Sequence, residues 1–158
     1  MNKRIIICGP GAGGKDFLKK KFARRGFSLD VSYTTRPPRE GEVDGVDYHF
    51  MDEMVFHQSI YDMYETAQHG KYWYGTGQKE WDADDIFIME THGISEITAE
   101  DRRECFIIYL NPPEHERVRR MRVERKWDWE TIQHRLEMDN KKFGNFKDFD
   151  IQITNPDF

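Results

Sequence analysis

Cysteine, positive charge and long apolar runs are all scarce in this chain. Its 158 residues include two cysteines, Cys8 and Cys105, both inside stretches predicted as buried strands. A reduced, intracellular protein with structural rather than reactive thiols is therefore expected. Lysine and arginine number 24 against 29 acidic residues, a net charge of -5. That balance argues against a general nucleic-acid binder, which usually has a basic domain. No apolar run approaches the ~20 residues that span a bilayer, and the first residues carry no apolar segment of signal-peptide length. The expectation is a cytoplasmic protein with no membrane partner. Repeats and low-complexity linkers are also missing, so residues 1–158 read as one domain.

What the chain does have is glycine in the right place. Residues 5 to 16 run Ile5-Ile6-Ile7-Cys8-Gly9-Pro10-Gly11-Ala12-Gly13-Gly14-Lys15-Asp16. A β-branched run leads into four glycines in six residues, then Lys15 and a helix-compatible stretch. This predicts a buried parallel strand turning through a glycine loop into a helix N-terminus. Glycine lets the backbone wrap closely enough for successive N–H groups to converge on one anion. The helix dipole adds about half a positive charge at that spot, and Lys15 adds a full one. The spacing Gly9-x-x-x-x-Gly14-Lys15 is that of a P-loop, with Gly9, Gly11, Ala12, Gly13, Gly14, Lys15 and Asp16 as candidate ATP-binding residues. Asp16 stands where a Ser or Thr normally offers a hydroxyl to Mg²⁺, and it is the candidate metal ligand.

Further along, Phe27 to Tyr33 alternates like a strand. Asp44-Gly45 is a hairpin signal before a short strand at Val46–Phe50. A short helix is predicted over 52–60. The aromatic stretches 61–66 and 71–75 suit a small antiparallel pair, and Trp81 falls in a polar connector. Ile86–Met89 and Phe106–Leu110 are unbroken apolar runs, the mark of strands covered on both faces. Pro112-Pro113 opens a charged helix to about Lys126 with Val118 and Met121 as its apolar pair. A second helix, Trp129 to Phe143, carries Trp129, Ile132, Leu136 and Phe143 on one stripe. Ile151–Ile153 is a last strand. The alternation of strands and helices predicts an α/β fold, a P-loop three-layer architecture with a central parallel sheet. An irregular insert is expected between its second and third elements.

Arg36 and Arg39 flank Pro37-Pro38, and polyproline II repeats every three residues, so both guanidinium groups face one side. By itself Arg-x-x-Arg is better explained as a solvated basic loop. The longer segment Ser32-Tyr33-Thr34-Thr35-Arg36-Pro37-Pro38-Arg39-Glu40-Gly41-Glu42-Val43-Asp44-Gly45-Val46-Asp47-Tyr48-His49-Phe50 resembles the signature of the guanylate kinase family nearly residue for residue. The resemblance continues through Glu65-Thr66-Ala67-Gln68, Tyr74-Gly75-Thr76, Pro112-Pro113, Arg125 and Arg135, and covers essentially the whole chain. It implies a core of 1–31 and 77–158, an acceptor-nucleotide-binding insert at 32–76 and a helical lid at about 113–135.

The resemblance also implies roles. Arg36, Arg39, Tyr48 and Tyr74 would hold the acceptor phosphate, and Ser32, Glu65 and Thr76 would read guanine. Glu90 would join the acceptor side, standing where an Asp is usual. Alone, Glu65 reads as an ordinary surface acid. The chemistry nevertheless suits the assignment, since a carboxylate accepts two parallel hydrogen bonds from the N1–H and N2 amino group of guanine, while adenine has a bare acceptor at N1. On the lid, most of Arg117, Arg119, Arg120, Arg122 and Lys126 read as a solvated helix face paired with Glu114, Glu116 and Glu124. The resemblance singles out Arg125 and Arg135, with Lys15, as catalytic, and Arg122 as a weaker third. The implied reaction is ATP-dependent phosphorylation of GMP or dGMP with Mg²⁺.

Four features depart from the family pattern: Asp16-Phe17 in the loop, Ile88 where an Asp is usual, a stretch from Gly77 to Ile86 too short for the family's helix, and Asn155-Pro156-Asp157-Phe158 where another helix usually follows. Two rival readings stand beside the kinase. One is a non-catalytic module of the same family that binds phosphorylated peptide. The other is a kinase for a different or modified deoxynucleotide.

Overall fold

The computed structural model describes residues 4–158. In chain order the elements are β1 (Arg4–Cys8), α1 (Lys15–Ala23), β2 (Tyr33–Thr34), β3 (His49–Phe50), α2 (Glu53–Gln58), β4 (Met63–His69) and β5 (Tyr72–Gly77). They continue with α3 (Gln78–Ala83), β6 (Ile86–Ile88), α4 (Thr91–Glu96), α5 (Ala99–Arg102), β7 (Cys105–Leu110), α6 (Glu114–Val123), α7 (Trp129–Phe143) and β8 (Ile151–Ile153). One sheet runs β6-β1-β7-β8, all neighbours parallel. The apolar run of β1 serves both faces of it. Ile6 and Cys8 pack with Trp81, Phe87, Ile107, Tyr109 and Phe143. Ile7, with Ile5 beside it, faces Leu18 and Phe22 of α1. Both cysteines are buried and free, and burial pushes the Cys8 thiol up to about 12.

The predicted irregular insert is instead a second sheet, β3-β2-β5-β4. Asp44-Gly45 does not close a hairpin: β3 pairs with β2 in parallel, and the Asp44 carboxylate accepts the Phe50 N–H at 2.9 Å. The Val46–Phe50 strand therefore shrinks to His49–Phe50. The Phe27–Tyr33 strand shrinks too. Leu29 makes a single bridge to Ile86 before the chain crosses from one sheet to the other. The antiparallel pair of aromatic stretches is present as β4 and β5.

Trp81 does not lie in a connector. It sits in α3, is 1% exposed, stacks on Tyr64 at 3.9 Å and carries the Arg4 guanidinium 4.4 Å over its ring. The stretch between Gly77 and Ile86 holds only this six-residue helix, in under two turns. Two short helices, α4 and α5, fall within residues 91–102, where no periodic pattern predicted them. The charged helix ends at Val123, three residues early, and Asp128 caps α7 by accepting the Thr131 N–H at 2.7 Å. Trp127 between them packs against Ala12, Met121 and Ile132, fixing this connection to the glycine loop.

Candidate active site

The glycine loop leaves the C-terminal end of the central strand, where open α/β sheets bind ligands. A Cβ on Gly9 would lie 2.2 Å from the Leu110 carbonyl of β7, so no other residue fits there. Ala12 and Gly14 both take positive φ, 58° and 94°, which turns the loop into the first turn of α1. Lys15 opens that helix, and its ammonium donates to the carbonyls of Gly9 at 2.7 Å and Pro10 at 3.1 Å. Desolvation lowers the Lys15 pKa; Glu90 opposes this and Arg135 adds to it. Asp16 is exposed at the head of α1.

A cavity opens between this loop and the second sheet. Gly11, Ala12, Lys15, Asp16, Ser32, Arg36, Arg39, Tyr48, Glu65, Tyr74, Glu90, Arg125 and Arg135 all line it. Gly13 and Gly14 line an adjoining cavity that shares Ala12, Lys15, Asp16 and Arg125 with the first. Of the residues predicted from sequence, Gly9 and Thr76 line neither, and the exposed Arg122 also stays outside.

The loop end of the first cavity is cationic. Arg39, Arg125 and Arg135 converge on it, and Arg125 has its pKa lowered by desolvation and by the charges of Arg39 and Arg135. Arginine does not shed its proton in response, so the cluster keeps a charge that an anion would relieve. Arg36 is held differently. Its guanidinium makes a two-pronged pair with Glu42 at 2.9 Å on each side and lies 5.3 Å over the Tyr48 ring. Glu42 also accepts the Arg39 N–H at 2.7 Å, which fixes the turn between the two arginines. Tyr48 and Tyr74 meet edge to face at 6.0 Å.

The opposite end is acidic. Glu65 on β4 is 8% exposed and accepts the Thr76 hydroxyl from β5 at 2.8 Å. Its other oxygen rests against α4, where a Cβ on Gly93 would come within 2.5 Å of it. Burial raises the Glu65 carboxyl to about 7 despite the Thr76 hydrogen bond. Ser32, on the crossing strand segment, donates its hydroxyl to the fully buried Asp30.

Several functional candidates escaped the sequence. Asp139 of α7 is 1% exposed, and its Oδ2 accepts the Gly11 N–H at 3.0 Å, Arg117 of α6 at 3.2 Å and Arg135 at 3.2 Å. Arg117 is itself buried and reaches the Gly11 carbonyl at 3.4 Å. One carboxylate thus joins the glycine loop to both helices that follow β7. A signal for it existed: Ile132, Leu136, Asp139 and Phe143 share one helical stripe, and an acid on an apolar stripe must have buried partners. Arg120 donates to the carbonyls of Ala12 and Pro156 at 3.1 Å each, seating the 154–158 segment beside the loop. Glu90 accepts from Lys142 at 3.1 Å. Burial raises the Glu90 carboxyl, and Lys15, Lys142 and His69 outweigh that to leave it below its ordinary value. His69 lies with its two ring nitrogens against Arg135 and Lys142. Burial, then Arg135, pushes it down to about 4, so it is neutral at pH 7.

The arrangement sets a glycine loop and its lysine at one end of a cavity whose other end is a buried carboxylate–hydroxyl pair. Comparison with known proteins agrees with it. The family model described as guanylate kinase matches residues 1–158. The guanylate kinase of Nitratidesulfovibrio vulgaris is 33% identical over 167 residues, covering 97% of this chain and 79% of that protein. That of Thermobifida fusca is 33% identical over 165 residues, covering 97% and 84%. The crystal structure of guanylate kinase from Anaplasma phagocytophilum superposes with a TM-score of 0.74 at 22% identity, over 98% of this chain and 77% of that one, a likeness of fold. With its loop, its two-sheet architecture and its sequence all in agreement, this chain belongs to the guanylate kinase family.

Proposed function

We propose that the protein transfers the γ-phosphoryl group of ATP to the phosphate of GMP or dGMP, giving ADP and the diphosphate. The observation that carries this reading is the polarity of one cavity. Lys15 of the loop, Arg39, Arg125 and Arg135 sit at one end, and a carboxylate–hydroxyl pair sits at the other. A nucleoside monophosphate has the complementary polarity, with an anion at one end and N–H donors at the other.

The bond between the γ-phosphorus and the oxygen bridging it to ADP breaks as an acceptor phosphate oxygen bonds to the same phosphorus. Such transfers depend on positioning and on stabilising charge over the moving group. Lys15 and the loop amides would hold the ATP phosphates. Arg36, Arg39, Tyr48 and Tyr74 would hold the acceptor phosphate, and Arg125 and Arg135 would face the group in transit. No side chain needs to become phosphorylated. The segment at about 113–135 would close over the phosphates and exclude water.

Among the described residues no cluster of three or more His, Cys, Asp or Glu could cage a metal ion. That suits Mg²⁺, which typically binds one or two carboxylates and keeps its other positions for phosphates and water. Asp16 would be the protein's ligand. The ion, when bound, would supply positive charge to offset the charge of the phosphates. Lys15 and the arginines at the loop end support an enzyme over a module that only binds. A coupled ADP-release assay across the nucleoside monophosphates tests the reading. Turnover is expected with GMP or dGMP, and ADP release with none of them would overturn it.

A further inference from the structure

Resting on the reading of Arg135 as a residue that faces the phosphoryl group in transit, we propose that His69 is a positioning residue for the transfer. A bare Nε2 on its ring accepts from Arg135 and fixes that guanidinium at the loop end of the cavity. The strand that carries Glu65 therefore also sets the arginine.

The placement comes from β4. Glu65, Ala67 and His69 alternate onto one face of that strand, and all three line the cavity. The strand rise separates Glu65 from His69 by about 13 Å. His69 is the last residue of β4, paired with Tyr72 across the hairpin, and its ring meets Tyr74 edge-on at 6.5 Å. Arg135 and Lys142, the two side chains against it, both come from α7, about two turns apart on one side of the helix.

Hydrogens decide what this contact does. Ring Nε2 lies against Arg135 Nη1, and ring Nδ1 against Lys142 Nζ. Guanidinium and ammonium groups only donate, and a neutral imidazole accepts at one nitrogen only. His69 can satisfy one of its two cations. Lys142 has another acceptor, Glu90 at 3.1 Å, and a flexible stem on which to turn toward it. Arg135 has no such freedom. Its Nε donates to Asp139 at 3.2 Å, and its guanidinium lies on Gly11, where a Cβ would come within 2.5 Å of Nε and 3.0 Å of Cζ. The lone pair therefore belongs to Nε2 and the proton to Nδ1.

The guanidinium is then held at two corners, at Nε by Asp139 of its own helix and at Nη1 by His69 of the second sheet. Its remaining hydrogens are left for phosphate oxygens. An imidazolium would lose the lone pair and add a third cation. Burial and the charges of Arg135 and Lys142 keep the ring neutral against the pull of Glu90 and Asp139.

The test compares His69→Gln, whose amide oxygen reaches about as far as Nε2, with His69→Asn, which reaches only as far as Nδ1, and with His69→Ala. With GMP and ATP saturating, kcat should fall at least about tenfold in the Asn and Ala variants, the scale of a lost hydrogen bond to a charged group, and under about threefold in the Gln variant. The KM for ATP should hardly move. A purely structural role would lower the melting temperature without separating Gln from Asn in kcat, so equal kcat in those two variants overturns the proposal. An unchanged or raised kcat in His69→Ala does the same. The wild-type ring gives a readout that needs no assay. In nitrogen-15 NMR at pH 7, the histidine whose signals vanish in His69→Gln should show a protonated Nδ1 and a bare Nε2, and the opposite tautomer or an imidazolium overturns the proposal. No wild-type turnover with any acceptor would bring down the kinase reading, and this role with it, whereas an active kinase indifferent to His69 brings down the role alone.

Discussion

The two ends of the acceptor cavity solve the same electrostatic problem in opposite ways. Each crowds like charges: Arg39, Arg125 and Arg135 with Lys15 at the loop end, and Glu65, within reach of the charges of Asp30 and Glu90, at the other. Guanidinium groups cannot escape by losing a proton, so Arg39, Arg125 and Arg135 keep their charge at any working pH, the last against Asp139. Carboxyls can escape by gaining one, and burial has already moved Asp30 and Glu65 toward neutrality. The loop end is therefore built for strength and the base end for discrimination. Perturbing the first should cost rate, and perturbing the second should change selectivity and pH response.

The largest effect should come from the loop end. Lys15→Ala and Arg135→Ala should each lower kcat by ~10³-fold or more, the scale of a charge aimed at a moving phosphoryl group. Single-turnover kinetics checks it, and a loss under tenfold would remove that residue from the transfer step. Asp139→Ala should cost stability as well as loosen the hold on Gly11 and Arg135. It strands Arg117 without its buried partner, a change that costs ~3–5 kcal/mol. Denaturant unfolding reads this, and the double variant Asp139→Leu/Arg117→Met should recover much of the loss.

Arg39→Ala should raise the acceptor KM and lower kcat, together about 100-fold, since a misplacement of ~1 Å can cost that much. ATP affinity should barely move, and an equal loss of ATP binding would erase the distinction between the two phosphate pockets. At the base end the effects shrink. Glu65→Gln puts a donor against a donor and should weaken GMP use by about 10–100-fold, or ~1–3 kcal/mol, with the KM for ATP unchanged.

The smallest effect is on the free protein. Glu65 is raised from 4.5 to about 7, so the folded state favours its protonated form. The stability this contributes is complete below about 4.5 and is lost as the pH climbs through about 7. The Tm should therefore fall by a few degrees between pH 5 and pH 8, given ~2–4 °C per kcal/mol in a domain of this size. Glu65→Gln should flatten part of that slope, and an identical slope in the variant would place the titration elsewhere.

Sequence reading was strongest where geometry is local. The β1-loop-α1 unit was legible because its glycines are demanded by backbone approach within a few residues, as at Gly9 against Leu110. The long helix Trp129–Phe143 was legible from its apolar stripe, and the Asp128 cap emerged only in the structure. It was weakest where short segments earn their structure from distant partners. β2 and β3 have two residues each and exist because β5 and each other supply their hydrogen bonds. Trp81 looked solvated because its neighbours are polar, yet Tyr64, Phe87 and Arg4 enclose it.

By itself the sequence determined the glycine loop and the parallel core through spacing and side-chain chemistry, whereas Glu65, Arg125 and Arg135 were singled out only by the resemblance to the guanylate kinase family. Only the tertiary structure decided which charges are isolated and which are spoken for. Arg117 and Arg120 look like any arginine of a charged helix until Asp139 and the Ala12 carbonyl are brought to them across more than 20 residues of chain in one case and over 100 in the other. Ser32 looks like a donor until Asp30 takes its hydrogen. Charge and proton position depend on burial and on partners from other elements, and those are set by packing rather than by neighbours in the chain.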